Sequence, residues 1–124
     1  MSVRILIVDD SSAMRAYVRA TLEDQWNALV EEATSGFEAL RILPREKFDI
    51  VVVDINMPNI NGLELISFMR RSDTHRQTPL IIISTEASKR DREKAFSLGA
   101  NAYLAKPFTA EQLIETLSQF YAGA

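Results

Sequence analysis

Hydrophobic residues occur in short, uninterrupted runs separated by longer amphipathic stretches. Four of these runs predict strands, at residues 3–8, 50–53, 80–83 and 102–105. They are mostly β-branched and do not alternate with polar residues, which favours strands covered on both faces in a parallel sheet. A weaker fifth candidate, residues 28–33, has a polar half that indicates an edge position.

Each interval between the runs carries a helical pattern with start or stop signals. Ser11 or Ser12 can cap a helix that ends near Asp24. The other predicted helices are residues 36–43 after Ser35, a helix from Asn61 to Arg70 and Arg71, residues 88–98 before Gly99, and a helix after the capping box of Thr109 and Gln112. Strands thus alternate with helices five times, which predicts an α/β fold with a parallel sheet between helix layers.

Composition narrows the class of protein. With 124 residues, 47% hydrophobic and 25% charged, residues 1–124 fit one globular domain, and the absence of Cys excludes disulfides and thiolate chemistry. A net charge of -3 argues against binding to nucleic acid. No apolar run reaches the roughly 20 residues of a membrane span. We therefore expect a cytoplasmic monomer that contacts neither nucleic acid nor membrane.

Polar residues follow the predicted strands at their carboxyl ends. Asp9 and Asp10 follow the first strand, Asp54 the third, Ser84 the fourth and Lys106 the fifth. In open α/β sheets, ligands bind beyond these strand ends. We therefore expect the five side chains to meet at one edge of the sheet.

Three carboxylates in one pocket repel each other and need positive charge nearby. Lys106 supplies one charge, and a hard divalent cation, Mg2+ or Mn2+, would supply two more through oxygen ligands. Metal, ammonium and hydroxyl together suit a phosphoryl group in transfer. Asp54, alone at the end of a central strand, is the best candidate for the nucleophile, with Asp10 on the metal and Asp9 supporting it.

These residues, taken together, resemble the receiver domain of two-component response regulators. The motifs that carry the resemblance are Asp9-Asp10, Asp54 with Met57-Pro58 and Gly62, Ser84, and Lys106-Pro107-Phe108. No output domain follows the last predicted helix, so we expect the stand-alone, CheY-like type. The resemblance implies a flavodoxin-like, three-layer sandwich with five helices and strand order 2-1-3-4-5; CheY is itself a standard example of that order.

The resemblance also implies how phosphorylation occurs. Asp54 would accept a phosphoryl group from the phosphohistidine of a histidine kinase. Asp10, Asp54 and the main-chain carbonyl of Asn56 would ligate Mg2+, with Asp9 behind them. Asn56 and Glu86 match the CheY pattern at positions that tune hydrolysis, which predicts a short-lived phosphoryl group.

A conformational response is implied in the same way. Lys106, next to an implied cis bond to Pro107, would pair with the phosphoryl oxygens, and Ser84 would donate a hydrogen bond to them. Tyr103 would rotate inward as Ser84 moves. The surface of the fourth helix, fifth strand and fifth helix would then control a downstream partner protein, in chemotaxis or in another process. We expect a switch that assists its own phosphorylation and dephosphorylation, not an enzyme.

Three alternatives stay open. A Mg2+-dependent aspartyl-phosphate phosphohydrolase of the haloacid-dehalogenase type would place Asp-x-Asp after the first strand and carry a cap, whereas here Asp9 and Asp10 are adjacent. A flavodoxin-type flavin carrier would need a Ser/Thr/Gly-rich phosphate loop, which is missing. A degenerate receiver would bind partners without phosphorylation, although all five chemical positions are filled.

Other polar residues favour structural interpretations. His75, in a polar loop with no second His or Cys nearby, is expected to be solvated. Arg70 and Arg71 fit a helix end, and Arg92 fits a solvated helix face. Trp26 could be buried or exposed, and the sequence does not decide between them.

Overall fold

Strands and helices alternate five times in a computed structural model of the chain, which describes residues 2–57, 61–85 and 89–121. The strands are β1 (Arg4–Val8), β2 (Leu29–Ala33), β3 (Ile50–Asp54), β4 (Leu80–Ser84) and β5 (Ala102–Ala105). The helices are α1 (Ser12–Trp26), α2 (Gly36–Ile42), α3 (Gly62–Arg71), α4 (Lys89–Leu98) and α5 (Ala110–Ser118). Among the described residues, no helix is long and apolar enough to cross a membrane.

All strand pairs are parallel, and the strand order is β2-β1-β3-β4-β5, so the predicted fold class and order are confirmed. Every residue of β3 and β4 is buried. Alternate residues of a strand face two different apolar layers. In β1, for example, Leu6 and Val8 face one layer, and Ile5 and Ile7 face the other. Both faces are covered, which explains why the strands show no polar alternation. The polar strand β2 lies at an edge, as predicted.

Side chains cap α1, α2, α3 and α5 at their amino ends. Ser11 accepts a hydrogen bond from the backbone of Met14, and Asn61 and Thr109 each begin a complete capping box. Helix α1 continues past the predicted end at Asp24 because the left-handed turn occurs only at Asn27, where φ is 51°. The predicted start of α4 at residue 88 lies outside the described residues.

The prediction that His75 is solvated is wrong. Its side chain is fully buried, with Nδ1 3.1 Å from the hydroxyl of Thr78 and the ring stacked 6.1 Å from that of Phe48. Nε2 lies 2.9 Å from the carbonyl oxygens of both Leu43 and Glu46, so this nitrogen carries a proton and donates it. The polar loop folds under the end of α2, a long-range contact that its own sequence does not indicate.

Arg70 is more than a helix end. Its guanidinium donates to the carbonyl oxygens of Gly99, His75 and Thr78 and to Oδ1 of Asn101. Burial lowers the pKa of this guanidinium from its ordinary value. Arg70 therefore joins the end of α3 to the loops that precede β4 and β5.

Trp26, left open by the sequence, is buried. The residue is 7% exposed, and its ring centroid lies 6.0 Å from that of Tyr121. The residue closes the apolar layer between the sheet, α1 and α5.

Candidate functional site

Three carboxylates meet at the carboxyl edge of the sheet. Asp9, Asp10 and Asp54 each offer one oxygen atom, and these atoms lie within 4.8 Å of one another. The ammonium of Lys106 lies 3.0 Å from Oδ2 of Asp9 and 3.5 Å from Oδ2 of Asp54. Residues from the ends of β1, β3 and β5 therefore form one acidic cluster with a lysine beside it.

The two acids after β1 have different surroundings. Asp9 is fully buried, and its carboxylate accepts hydrogen bonds from the backbone N–H of Ser11 at 2.8 Å and from Lys106. Asp10 is exposed, and within residues 2–57, 61–85 and 89–121 no hydrogen bond to its carboxylate is present. Asp9 is thus engaged by the protein, whereas Asp10 is available to a ligand.

Asp54 is nearly buried, with 4% of its surface exposed. Its Oδ1 accepts a hydrogen bond of 3.0 Å from the backbone N–H of Asn56. Burial raises the pKa of the Asp54 carboxyl above its ordinary value, and the charges of Asp9 and Asp10 raise it further, against the opposing effects of the Asn56 N–H and Lys106. The site therefore holds more negative charge than its own cation balances.

Asn56 also connects the ends of two strands. Its side-chain amide donates to the hydroxyl of Ser84 at 2.9 Å, and Thr85 Oγ1 lies 3.4 Å away. The sequence assigned a role to the backbone of Asn56 but gave no signal for this side-chain bond. The buried hydroxyl of Ser84 is consequently held at the end of β4, next to the loop that follows Asp54.

A glycine allows α3 to begin directly against the end of β3. A Cβ atom on Gly62 would lie 2.8 Å from Cα of Ile55 and 2.9 Å from the carbonyl oxygen of Asp54. Both are backbone atoms that cannot move aside, so only glycine fits this close approach.

Tyr103 on β5 is partly buried, and an arginine of α4 lies over its ring. The guanidinium carbon of Arg92 lies 5.3 Å from the centroid of the tyrosine ring, a cation–π distance. The expectation that Arg92 belongs only to a solvated face is therefore incomplete, because the exposed arginine also covers the ring.

Arg15 of α1 is a further residue near the cluster that the sequence did not indicate. Its Nη1 donates to the main-chain oxygen of Asp9 at 2.6 Å, and its Nε pairs with Oε1 of Glu32 at 2.8 Å. Nothing in the sequence indicates that Arg15 approaches the acidic cluster, because the contact depends on how α1 crosses β1 and β2.

The peptide bond from Lys106 to Pro107 is cis, as the resemblance implied. Pro58, Glu86 and Ser88 lie outside the described residues. A cavity of about 390 Å³ lies between the loops before β3 and β4, at the opposite edge of the sheet, and takes no part in the acidic cluster.

The donor atoms of the cluster suit a hard divalent cation. The cluster offers three carboxylate oxygens. Asn56, two residues after Asp54, has a main-chain carbonyl that could add a fourth oxygen. Oxygen atoms of both kinds are ligands that Mg2+ accepts. The raised pKa of Asp54 agrees with such a site, because a cation would relieve the repulsion that disfavours its ionised form.

Comparisons with known proteins agree with this geometry. The family model "Response regulator receiver domain" matches residues 5–118. Chemotaxis protein CheY-3 of Vibrio cholerae is 38% identical over 120 residues, covering 97% of this chain and 92% of that protein. A CheY homolog of Campylobacter jejuni is 38% identical over 116 residues, covering 93% of this chain and 89% of that protein.

Solved structures give the same result. Chemotaxis response regulator CheY4 of Vibrio cholerae superposes with a TM-score of 0.91 at 34% identity, covering 97% of this chain and 99% of that one. The receiver domain of a sensor histidine kinase from Pseudomonas aeruginosa, with magnesium coordinated in its active site cleft, gives 0.89 at 27% identity, covering 99% and 100%. Sequence, fold and comparisons together show that this chain belongs to the response regulator receiver domain family and is of the CheY type.

Proposed function

We propose that the chain is a phosphorylation-dependent switch in which Asp54 accepts a phosphoryl group from the phosphohistidine of a histidine kinase. The observation that carries the proposal is the position of the Lys106 ammonium, 3.5 Å from Oδ2 of Asp54 within a cluster of three carboxylates. The lysine can pair with the negative oxygens of a phosphoryl group, and the carboxylates can hold the divalent cation that accompanies it.

The transfer is a direct exchange of bonds. A carboxylate oxygen of Asp54 forms a bond to phosphorus while the bond from phosphorus to the imidazole nitrogen breaks, and the nitrogen leaves with the electron pair. Asp54 is the acceptor because its neighbour Asp9 is already held by Lys106 and the N–H of Ser11. Asp10, exposed and without a protein partner among the described residues, is a ligand for a cation instead.

Mg2+ is the cofactor in this proposal. Its ligands would be Asp10, Asp54 and the main-chain carbonyl of Asn56, with Asp9 supporting them. Bound Mg2+ supplies positive charge that neutralises the phosphoryl oxygens during transfer. Within the protein, Lys106 and the hydroxyl of Ser84 are the further groups that can pair with those oxygens.

Phosphorylation would change which contacts these groups prefer. The acyl phosphate carries about two negative charges and several strong acceptors, whereas the carboxylate carries one charge. A charge-assisted hydrogen bond is worth roughly 1.5 to 3 kcal/mol, so new bonds from Lys106 and Ser84 suffice to shift a two-state equilibrium by tenfold or more. Movement of Ser84 would pass to Tyr103, which pairs with Ile82 of β4, and to α4, whose Arg92 covers the tyrosine ring.

The surface that changes would be the α4-β5-α5 face, where a downstream target protein binds. This face includes Arg92 over Tyr103 and the side chain of Phe96, which is 44% exposed. Because similar proteins are named as chemotaxis proteins, we propose a target in chemotaxis. The proposal is of a cytoplasmic monomer that signals to proteins and does not contact nucleic acid or membrane directly.

The test is incubation with acetyl phosphate and Mg2+ followed by intact mass measurement. Wild type should gain one phosphoryl group, and Asp54→Asn should gain none. Asp73→Asn, which removes an exposed carboxylate far from the site, is the matched control and should behave as wild type. Steady turnover of generic phosphate esters by wild type would instead favour the phosphohydrolase alternative.

A further inference from the structure

The guanidinium of Arg15 joins two strands behind the acidic cluster. Its side chain is 13% exposed, and its two hydrogen bonds go to Oε1 of Glu32 on β2 and to the main-chain oxygen of Asp9 at the end of β1. The second of these, at 2.6 Å, is short for a bond between nitrogen and oxygen.

The oxygen that Arg15 contacts belongs to the peptide bond between Asp9 and Asp10. Holding this peptide restrains the backbone from which the Asp10 side chain leaves, because only the rotation about the N–Cα bond of Asp10 separates the peptide plane from that side chain. The carboxylate of Asp9 has its own hydrogen bonds, but that of Asp10 has none from the part of the chain that is described. The orientation of Asp10 therefore depends on its backbone, and hence on Arg15.

Arg15 is itself held in place. The second carboxylate oxygen of Glu32 pairs with Nε of Arg19 at 2.7 Å. Burial alone would raise the pKa of Glu32, but hydrogen bonds from Arg19 and Arg15 hold the pKa below its ordinary value, so this anchor stays ionised. Ion pairs thus connect Arg19 to Glu32 and Glu32 to Arg15, and Arg15 in turn donates to the peptide that precedes Asp10.

We propose that Arg15 is a positioning residue that aims the carboxylate of Asp10 at the point shared with Asp54, where the divalent cation binds. This inference rests on the proposed function, because it requires that the cluster binds a cation. A positioning role and a simple charge effect predict opposite changes in Mg2+ affinity when Arg15 is removed. By charge alone, a guanidinium near the site repels a metal ion, so its removal would tighten binding. By positioning, its removal weakens binding.

The experiment is calorimetric titration of Mg2+ into the unphosphorylated full chain. Arg15→Gln should bind Mg2+ about tenfold more weakly than wild type, as is typical when a residue that orients a metal ligand is lost. Arg15→Lys keeps the positive charge but loses the two-pronged guanidinium, and it should also bind more weakly. Arg41→Gln, which removes an exposed arginine of α2, is the matched control and should leave the affinity unchanged.

A second measurement separates local positioning from general loss of structure. In backbone amide NMR spectra without metal, Arg15→Gln should shift the resonances of Asp9 and Asp10 while those of β3 and β4 stay in place. If Arg15→Gln does not fold, Arg15→Lys carries the same test, because charge alone predicts no change for it.

The possible results are distinguishable. Mg2+ binding by either Arg15 variant that equals or exceeds that of wild type would overturn the positioning role while leaving the proposed function intact. Absence of Mg2+ binding by wild type would overturn both.

Discussion

The ammonium of Lys106 lies 3.5 Å from Oδ2 of Asp54, although Asp54 ends β3 and Lys106 follows β5, two strands that are not neighbours in the sheet. It lies closer to Asp9, at 3.0 Å, and Asp9 is fully buried. Lys106 therefore has two roles in the unmodified protein. It compensates the buried charge of Asp9 directly after β1, and it stands close enough to Asp54 to contact a phosphoryl group attached there.

Replacement of Lys106 should cost stability because it leaves Asp9 buried without a counter-ion. We expect Lys106→Met to lower the free energy of unfolding by about 3 kcal/mol at neutral pH, as for other broken buried ion pairs. Urea denaturation measures this change. Lys94→Met, at an exposed lysine of α4, is the control, and an equally small effect of both substitutions would contradict the prediction.

Removal of the charge of Asp54 should have the opposite effect and stabilise the fold, because the ionised form of this residue is disfavoured in the folded state. The pKa of its carboxyl is raised above the value of 3.8 expected for the unfolded chain. Between these two pKa values the folded state holds more protons than the unfolded state, so this residue's contribution to stability falls as pH rises. Asp54→Asn removes the charge and keeps an acceptor for the N–H of Asn56.

We therefore expect Asp54→Asn to raise the free energy of unfolding on the order of 1 kcal/mol at neutral pH without metal. The gain should shrink as pH falls through the folded pKa of Asp54. Urea denaturation between pH 4 and 8 in the presence of EDTA measures it. A gain that is constant with pH, or that grows toward low pH, would show that relief of charge repulsion is not its cause.

Mg2+ should stabilise the wild-type fold through binding to the acidic cluster. At a free concentration of 100 times the dissociation constant, the expected gain is about 2.7 kcal/mol. Asp10→Asn should remove most of this gain, yet raise the stability in EDTA only slightly, because Asp10 is exposed and its charge is a minor part of the repulsion on Asp54. Thermal denaturation with and without Mg2+ measures both quantities.

The control for this prediction is Asp24→Asn, an exposed acid on α1. It should keep the full Mg2+-dependent gain. If Asp10→Asn also keeps that gain, Asp10 is not a ligand and the cation binds elsewhere.

The features that the sequence predicted have local causes. Continuous β-branched runs become strands because both faces are buried, as in β3 and β4, and the polar half of β2 places it at an edge. The candidate site was predictable because parallel strands end at one edge of the sheet. Their carboxyl ends alone are enough to bring Asp9, Asp54 and Lys106 together.

The features that the sequence did not predict depend on packing between distant segments. Arg15 reaches the peptide after Asp9 only because α1 crosses two strands, and Arg92 covers Tyr103 only because α4 lies beside β5. Arg92 stands among charged neighbours that are typical of a solvated helix face, and Arg15 is a single charge between Met14 and Ala16, with no motif around it. Residue type and spacing therefore gave no reason to separate these side chains from other surface charges.

His75 is the clearest case, and its burial leads to a prediction. Its Nε2 supplies the donor for the carbonyl oxygens of Leu43 and Glu46, and its ring fills the space beside Phe48. His75→Ala should leave these oxygens without that donor and open a cavity, lowering the free energy of unfolding by about 3 kcal/mol. Urea denaturation measures the loss, with Thr74→Ala as the control at an exposed position of the same loop.

The same variant should remain competent for phosphorylation under conditions where it is folded. His75 lies before β4, at the edge of the sheet opposite the acidic cluster, so its removal changes no group near Asp54. Intact mass after treatment with acetyl phosphate and Mg2+ should show the same fraction of phosphorylated chain as wild type. A folded His75→Ala that fails to gain the phosphoryl group would show that the two edges of the sheet are coupled, contrary to the purely structural role assigned to this histidine.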